Sequence, residues 1–322
     1  MASHERWTNE NAEGMLARNF SGATCAAATP ASVEQRSAYE SPIVHHTGRD
    51  IALQSPNDES KRRAREQWGE NPCGAHVARG LPAGSREYFE AIEEYRYAIY
   101  APWMKDAIRF GDHSGKRVLE VGCGTGTDLL QFARAGASVT GVDLTPRSIE
   151  IASRRFAVYG EEASFAIGDA ERLAFPDESF DLVYSFGVIH HTPGTAKAVD
   201  EMRRVLRRGG RAVVMIYNRA SLYYWGSIIL KHGLARGELF KRSAAEIMSR
   251  HVEHTETGGR PLVKAYTPRE ARRLFRDFSE CEVRVHQLTR AELAPIGRVL
   301  PESLFQWLAR TLGWNLLITA TK

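Results

Sequence analysis

A glycine-rich turn between a strand and a helix most limits what this chain can fold into. Arg117-Val118-Leu119-Glu120-Val121 reads as a buried strand and Thr127–Arg134 as a helix, and Gly122-Cys123-Gly124-Thr125-Gly126 joins them. Glycines at such a junction let the backbone approach a ligand closely, because no Cβ stands in the way. The spacing bears on which ligand. A dinucleotide fingerprint reads G-x-G-x-x-G. Here the third glycine comes one residue early, and Thr127 stands where that fingerprint places Gly. A nicotinamide oxidoreductase is therefore disfavoured.

From Arg117 onward short apolar runs alternate with helical patterns, the mark of a parallel α/β sheet. The first five strands are expected at 117–121, 138–143, 164–168, 180–186 and 211–217, with helices at 126–135, at 146–159 and from about 198 to 208. Gly136 follows the first helix, Pro146 opens the second, and Gly209-Gly210 closes the third. About fifty residues, 218–267, then break the rhythm and carry Tyr223-Tyr224-Trp225. Thr267-Pro268-Arg269-Glu270 is a capping box that opens a helix to Phe278. A sixth strand at 281–288, a helix at 302–311 and a seventh strand at 314–321 complete the pattern. Upstream, Ser85 caps a helix with Tyr88, Ile92, Tyr95 and Ile99 at helical spacing, and 61–84 reads as a transition.

Acidic residues close three strands in succession: Glu120, Asp143 and Asp169. Open α/β sheets bind ligands at these C-terminal strand ends. Asp143 lies 21 residues after Gly122, as a ribose-binding acid would; a cap for the next helix is the alternative. The G-x-G-x-G turn, the stretch Val139–Pro146 and Gly168-Asp169-Ala170 resemble motifs I, post-I and II of the class I S-adenosylmethionine (SAM) methyltransferases. Ile189-His190-His191-Thr192-Pro193, followed by Arg207-Arg208-Gly209-Gly210, is similar to the broad group that includes ubiquinone/menaquinone C-methyltransferases and many natural-product methyltransferases. That group has Pro where Arg208 stands.

The resemblance, over about residues 85–322, implies an α/β fold with a seven-stranded, doubly wound Rossmann-like sheet. Strand seven would insert antiparallel beside strand six, with an N-terminal helical extension and a lid between strands five and six. It implies SAM as cofactor. Gly122, Cys123, Gly124 and Gly126 would meet the methionine end, and Glu120 would face its ammonium. Asp128 would assist there or simply complement the helix dipole. Asp143 and Leu144 would hold the ribose, Asp169 and Ala170 the adenine, and Phe186 joins the cofactor-binding set.

Methyl transfer is an in-line displacement helped by a dry, preorganised site. A hydroxyl or weakly acidic carbon acceptor also needs a general base. Residues after strands four and five lie beside the methyl in this fold, which nominates His190, His191 and Tyr217 as catalytic. The paired histidines could equally cap a helix or close the adenine pocket. Tyr95, Tyr223 and Trp225 are candidate substrate walls, or core packing. No metal site is expected, since the four cysteines are far apart with no C-x-x-C.

The formal net charge of +4 conceals an asymmetry. Residues 1–60 hold four Arg and no Lys against eight acids, whereas 219–290 hold fourteen Lys/Arg against eight. The basic excess suits either a solvated surface or an anionic or polar small-molecule acceptor. Nucleic acid is disfavoured: the basic residues are scattered, and the Pro-Pro turn of base-methylating enzymes is missing. No run approaches the ~18 apolar residues of a membrane span. Without a signal core behind Met1, the expected compartment is cytoplasmic. The oligomeric state is open, a homodimer being one option. The expected organisation is a disordered tail at 1–60, a helical extension or lid at 61–112, and a SAM-dependent methyltransferase domain at 113–322 with a substrate cover at 218–267. The expected reaction is methylation of a carbon or oxygen on a small molecule, with anionic, isoprenoid and other secondary metabolites as acceptor classes. The alternative is a SAM-binding protein that transfers no methyl, either a regulator or an enzyme that repurposes SAM.

Overall fold

A computed structural model of the protein describes residues 56–253 and 261–322. In chain order the N-terminal part holds α1 (Pro56–Glu70), α2 (Arg86–Glu94), which runs on as a π-helical stretch Tyr95–Tyr100, and α3 (Met104–Ile108). There follow β1 (Arg117–Val121), α4 (Thr127–Arg134), β2 (Ser138–Asp143), α5 (Pro146–Tyr159), β3 (Ser164–Ile167), β4 (Phe180–Phe186), α6 (Thr195–Val205) and β5 (Leu206–Asn218). The insertion contains a π-helix, Tyr223–Ala235, then α7 (Ala244–His251) and the short β6 (Ala265–Tyr266). The chain closes with α8 (Pro268–Leu274), β7 (Glu280–His286), α9 (Glu302–Leu312) and β8 (Asn315–Thr321).

One sheet runs β3-β2-β1-β4-β5-β8-β7, with β6 paired to β5. Strands β1 to β5 are mutually parallel, and β8 lies antiparallel between β5 and β7. This is the expected topology; the strand read as the seventh is β8 only because two-residue β6 intervenes. Side chains alternate across the sheet. Leu182 and Tyr184 of β4 pack on one face with Met104, Phe132, Phe156 and Ile228. Val183 packs on the other with Val199, Met202 and Phe275. Both faces of β4 are covered, which is why its sequence is nearly continuous in apolar residues.

Most element ends follow the local chemistry. Ser85 accepts from the Tyr88 N–H at 3.2 Å, Thr145 caps α5 ahead of Pro146, and Thr267 with Glu270 forms the capping box of α8. Several boundaries differ from the sequence reading; α8, for example, stops at Leu274 rather than Phe278, and β7 ends at His286 rather than 288. Helix α6 stops at Val205, and Gly209-Gly210 lie inside β5, where the register against β4 shifts between Phe180 and Leu182. Gly209 has φ 74°, so the glycine pair serves a bulge rather than a helix end. Ordered structure also precedes Ser85: α1 begins at Pro56. Its periodicity is weak because it is largely a charged helix, with Glu59 paired to Arg62 and Arg63. The expected disordered tail lies outside the described residues, apart from 56–60.

One buried carboxylate fastens the N-terminal part to the sheet. Asp128, at the start of α4, is 3% exposed. It accepts from Arg96 Nε at 3.1 Å and Nη2 at 2.5 Å, from the Tyr97 hydroxyl at 2.8 Å and from the Tyr184 hydroxyl at 2.8 Å. Those four donors use the acceptor capacity of a carboxylate. Burial alone would raise its pKa, but the charge and hydrogen bonds of Arg96, with the two phenols, hold it below the ordinary value. Asp128→Ala removes one side of a buried ion pair and strands Arg96, so a loss of about 3–5 kcal/mol in urea-denaturation stability is expected. A loss under about 1 kcal/mol would show that the pair does not hold the extension in place.

Candidate functional site

The parallel register sets Glu120 opposite Gly141, and Asp143 opposite Ile167. The acidic ends of β1 and β2, and Asp169 just beyond β3, therefore open on the same edge of the sheet. Between them the glycine turn is left-handed at Gly122 (φ 76°), Gly124 (52°) and Gly126 (72°). A Cβ built at Gly124 would meet nothing within 4 Å, so that side of the turn is open.

The turn's N–H groups do not point at a ligand as expected. Gly122 and Cys123 both donate to the Val142 carbonyl, at 2.7 and 3.1 Å, Gly126 donates to Cys123, and Gly124 donates to Asp143 Oδ2 at 2.9 Å. The turn is thus clasped to β2, and it offers close approach and carbonyl acceptors rather than free donors. Asp143 Oδ1 takes the N–H and the hydroxyl of Thr145, each at 2.9 Å. Its Oδ2 keeps one acceptor position, as a ribose hydroxyl requires. Burial raises the Asp143 carboxyl, and the bonds from Thr145 and Gly124 oppose that rise. Glu120 is 4% exposed, and its Oε2 has no partner among the described residues. Burial, then the charge of Asp128, push its carboxyl well above the ordinary range. A buried acceptor without a donor, beside an open glycine turn and a half-satisfied carboxylate, fits a ligand bearing an ammonium and a ribose. SAM meets that description.

The adenine side differs from expectation. Asp169 sits where predicted, but its Oδ2 carries the Lys61 ammonium at 2.6 Å and its Oδ1 takes the Glu171 N–H at 2.9 Å. Burial alone would lower the Lys61 pKa, yet Asp169 and Glu171 hold it above the ordinary value. Ala170 and Leu144 are half-buried. Phe186, at the end of β4, lies under the Arg96 guanidinium at 4.1 Å. Asp128 is not available to the methionine end, because Arg96 and the two phenols already occupy it.

The three candidate catalytic side chains come together. The His190 ring lies 4.0 Å from Tyr217 and 4.2 Å from His191. His190 itself is fully buried, and both ring nitrogens lack a hydrogen-bond partner among the described residues. Burial, then His191, push its pKa well below the ordinary value, which fixes it as a neutral packed ring. His191 faces the Leu262 carbonyl through Nδ1 at 2.8 Å and Glu253 through Nε2 at 3.5 Å. The Tyr217 hydroxyl donates to the same Glu253 oxygen at 2.9 Å. Tyr217 also stacks on Trp314 at 4.6 Å, and Tyr223 meets Trp314 at 4.8 Å. Tyr95 is stacked on Tyr100 at 6.1 Å. Trp225 does not join the cluster; it is 56% exposed, and its ring contact is Tyr224.

Sequence reasoning missed Glu253, Lys61, Trp314 and the role of Arg96. Glu253 lies within the non-periodic insertion and Lys61 in a helix with little apolar pattern, so neither gave a signal. Arg96 could have been found as the cation facing Asp128, had the extension been placed against α4.

Residues 119–214 match the family described as Methyltransferase domain. A phthiotriol/phenolphthiotriol dimycocerosates methyltransferase of Mycobacterium leprae is 44% identical over 99 residues, 30% of this chain and 36% of that protein. A sterol 4-C-methyltransferase of Caenorhabditis elegans is 34% identical over 30% of this chain and 29% of its own length. A demethylmenaquinone methyltransferase of Tropheryma whipplei is 35% identical over 35% of this chain and 47% of its own length. The matches thus span less than half of each of these relatives. Among solved structures, a SAM-dependent methyltransferase from Methanosarcina mazei aligns with TM-score 0.48 and 20% identity over 67% of this chain and 96% of that one. The family match runs across the glycine turn and β4, and the sheet order with β8 antiparallel is the one that the resemblance to class I SAM-dependent methyltransferases implies.

Proposed function

We propose that this protein transfers a methyl group from SAM to a small-molecule acceptor. The observation that carries the reading is the convergence of Glu120, the open side of the Gly124 turn and Asp143 at adjacent strand ends, within the stretch that matches the methyltransferase family. When bound, SAM supplies a methyl group on a positively charged sulfur. Asp143 would fix the ribose, and Glu120 would face the ammonium. Arg96, set by Asp128 and lying over Phe186, is the cation that suits the methionine carboxylate.

A proton leaving an acceptor hydroxyl or acidic carbon needs a nearby base. Glu253 is the group we assign, with Tyr217 donating to it and His191 Nε2 beside it. His191 donates Nδ1–H to the Leu262 carbonyl, so Nε2 is the nitrogen able to share that proton. His190 serves as a wall. The relatives act, by name, on dimycocerosates, sterols and demethylmenaquinone, and an apolar acceptor suits the surrounding Tyr217, Trp314 and Tyr223 rings. Carbon or oxygen methylation of such a molecule is the finer proposal. We place the substrate cover in the 218–267 insertion and the lid in the 61–112 extension.

Incubation with methyl-labelled SAM and lipid and aqueous extracts of the host should release S-adenosylhomocysteine. SAM binding without any such release would favour the non-transferring alternative. Asp143→Ala should weaken SAM binding about tenfold or more, ~1.4 kcal/mol per decade, by calorimetric titration. Unchanged affinity would remove the ribose assignment.

The buried histidines set a pH dependence. His190 is held well below its ordinary value, and burial with neighbouring charge takes His232 and His286 down to about 4 each. Below about pH 6.5 the unfolded chain takes up protons that the folded chain refuses. Stability is therefore full above that pH and falls as pH drops towards 4. His190→Phe should shrink the fall in Tm between about pH 7 and 5; an equal fall would show that His190 is not held neutral.

A further inference from the structure

The insertion exposes large apolar side chains. Trp225 is 56% exposed, Leu230 56%, Leu234 53% and Phe240 84%. Hydrogen bonding from i to i+5 brings residues about five apart into line, so Trp225, Leu230 and Leu234 form one stripe of the π-helix. Its opposite side, with Tyr224, Ile228 and His232, is buried against the domain. The π-helix is thus apolar inside and out, whereas α2 buries Tyr88, Phe89 and Ile92 and turns Glu87, Glu90 and Glu94 to solvent. A second stretch exposes Ile296, Val299, Leu304 and Trp307. The elements that carry the two groups meet at one end, where Tyr223 at the start of the π-helix contacts Trp314, just beyond α9, at 4.8 Å. An exposed apolar face of this kind marks an interaction surface.

The charges around it indicate what it meets. Arg236 and Lys241 stand among the first apolar group, and Arg298 and Arg310 among the second; Lys231 and Arg242 are there too but have partners within the protein, Arg242 at Glu238. The acids there are engaged within the protein. Glu238 bonds His251 at 2.7 Å and lies within 3.8 Å of Arg242 and Arg250. Glu292 caps Thr289, and Glu302 pairs with Arg290. A two-fold dimer through this face would set like charges against one another. An anionic bilayer satisfies both features: apolar and tryptophan side chains enter the headgroup boundary, and Lys and Arg meet lipid phosphates.

We propose that residues 223–242 and 296–310 form a docking face for a lipid bilayer carrying anionic headgroups. It lies on the surface and spans nothing, since no described helix is long and apolar enough to cross a membrane. Docking does not depend on methyl transfer, so the two readings can fail separately.

The full chain should float with vesicles of phosphatidylcholine containing about 30% phosphatidylglycerol, weakly with phosphatidylcholine alone, and less as salt rises. Trp225→Ser with Leu230→Ser and Phe240→Ser should lower the bound fraction about tenfold while the thermal melt stays in place. If that variant fails to fold, Phe240→Ser alone, at the most exposed position, and Lys241→Glu should each lower binding severalfold. No flotation with anionic vesicles, or equal flotation of the variants, would overturn the proposal. So would light scattering that shows a dimer abolished by these substitutions in a protein that does not float.

Discussion

The arrangement of this protein depends on one buried carboxylate. Asp128 stands at the head of α4, directly after the glycine turn, and binds a guanidinium from the N-terminal extension, a phenol beside it and a phenol from β4. An isolated charge at that depth would be severely unfavourable; with four donors it becomes a fixed joint. The joint sets where Arg96 points, and Arg96 in turn roofs Phe186 at the end of β4. The extension is thereby held against the strand ends. Asp128 cannot also serve a ligand, and the cation that it positions is the one proposed to meet the methionine carboxylate.

Around this joint the acids divide by environment. Asp128 has a buried cation and stays ionised, whereas Glu120, close by and with no donor for Oε2 among the described residues, is pushed strongly towards its protonated form. Asp143 lies between these extremes, with backbone donors from the turn that it clasps. On the far side, Tyr217, His191 and Glu253 share one carboxylate oxygen, walled by Trp314 and the neutral His190 ring. The proposed cofactor contacts and the proposed base therefore sit on opposite flanks of β4.

Much of this was legible in the sequence, and the exceptions share a cause. The glycine turn, the acids at 120, 143 and 169, the two capped helices and the antiparallel last strand are local patterns, written in neighbouring residues. Lys61 on Asp169, Arg96 on Asp128 and Glu253 on Tyr217 join residues 32 to 108 positions apart. No periodicity records such pairs. The direction of the turn's N–H groups was missed for a related reason: glycine spacing announces a tight approach, but which carbonyl takes each donor depends on β2. Trp225 was read inward as part of an aromatic cluster; the pitch of the π-helix turns it outward, and its ring meets only the edge of Tyr224 among the described residues.

The central claim is that the strand ends form a site for the adenosine and methionine halves of SAM and not for a dinucleotide. Parallel calorimetric titrations of the full chain with S-adenosylhomocysteine and with NADH test it most directly. Saturable binding of S-adenosylhomocysteine at one site per chain, with no heat from NADH, is the predicted result. Saturable NADH binding, or no binding of S-adenosylhomocysteine by the folded protein, would contradict it.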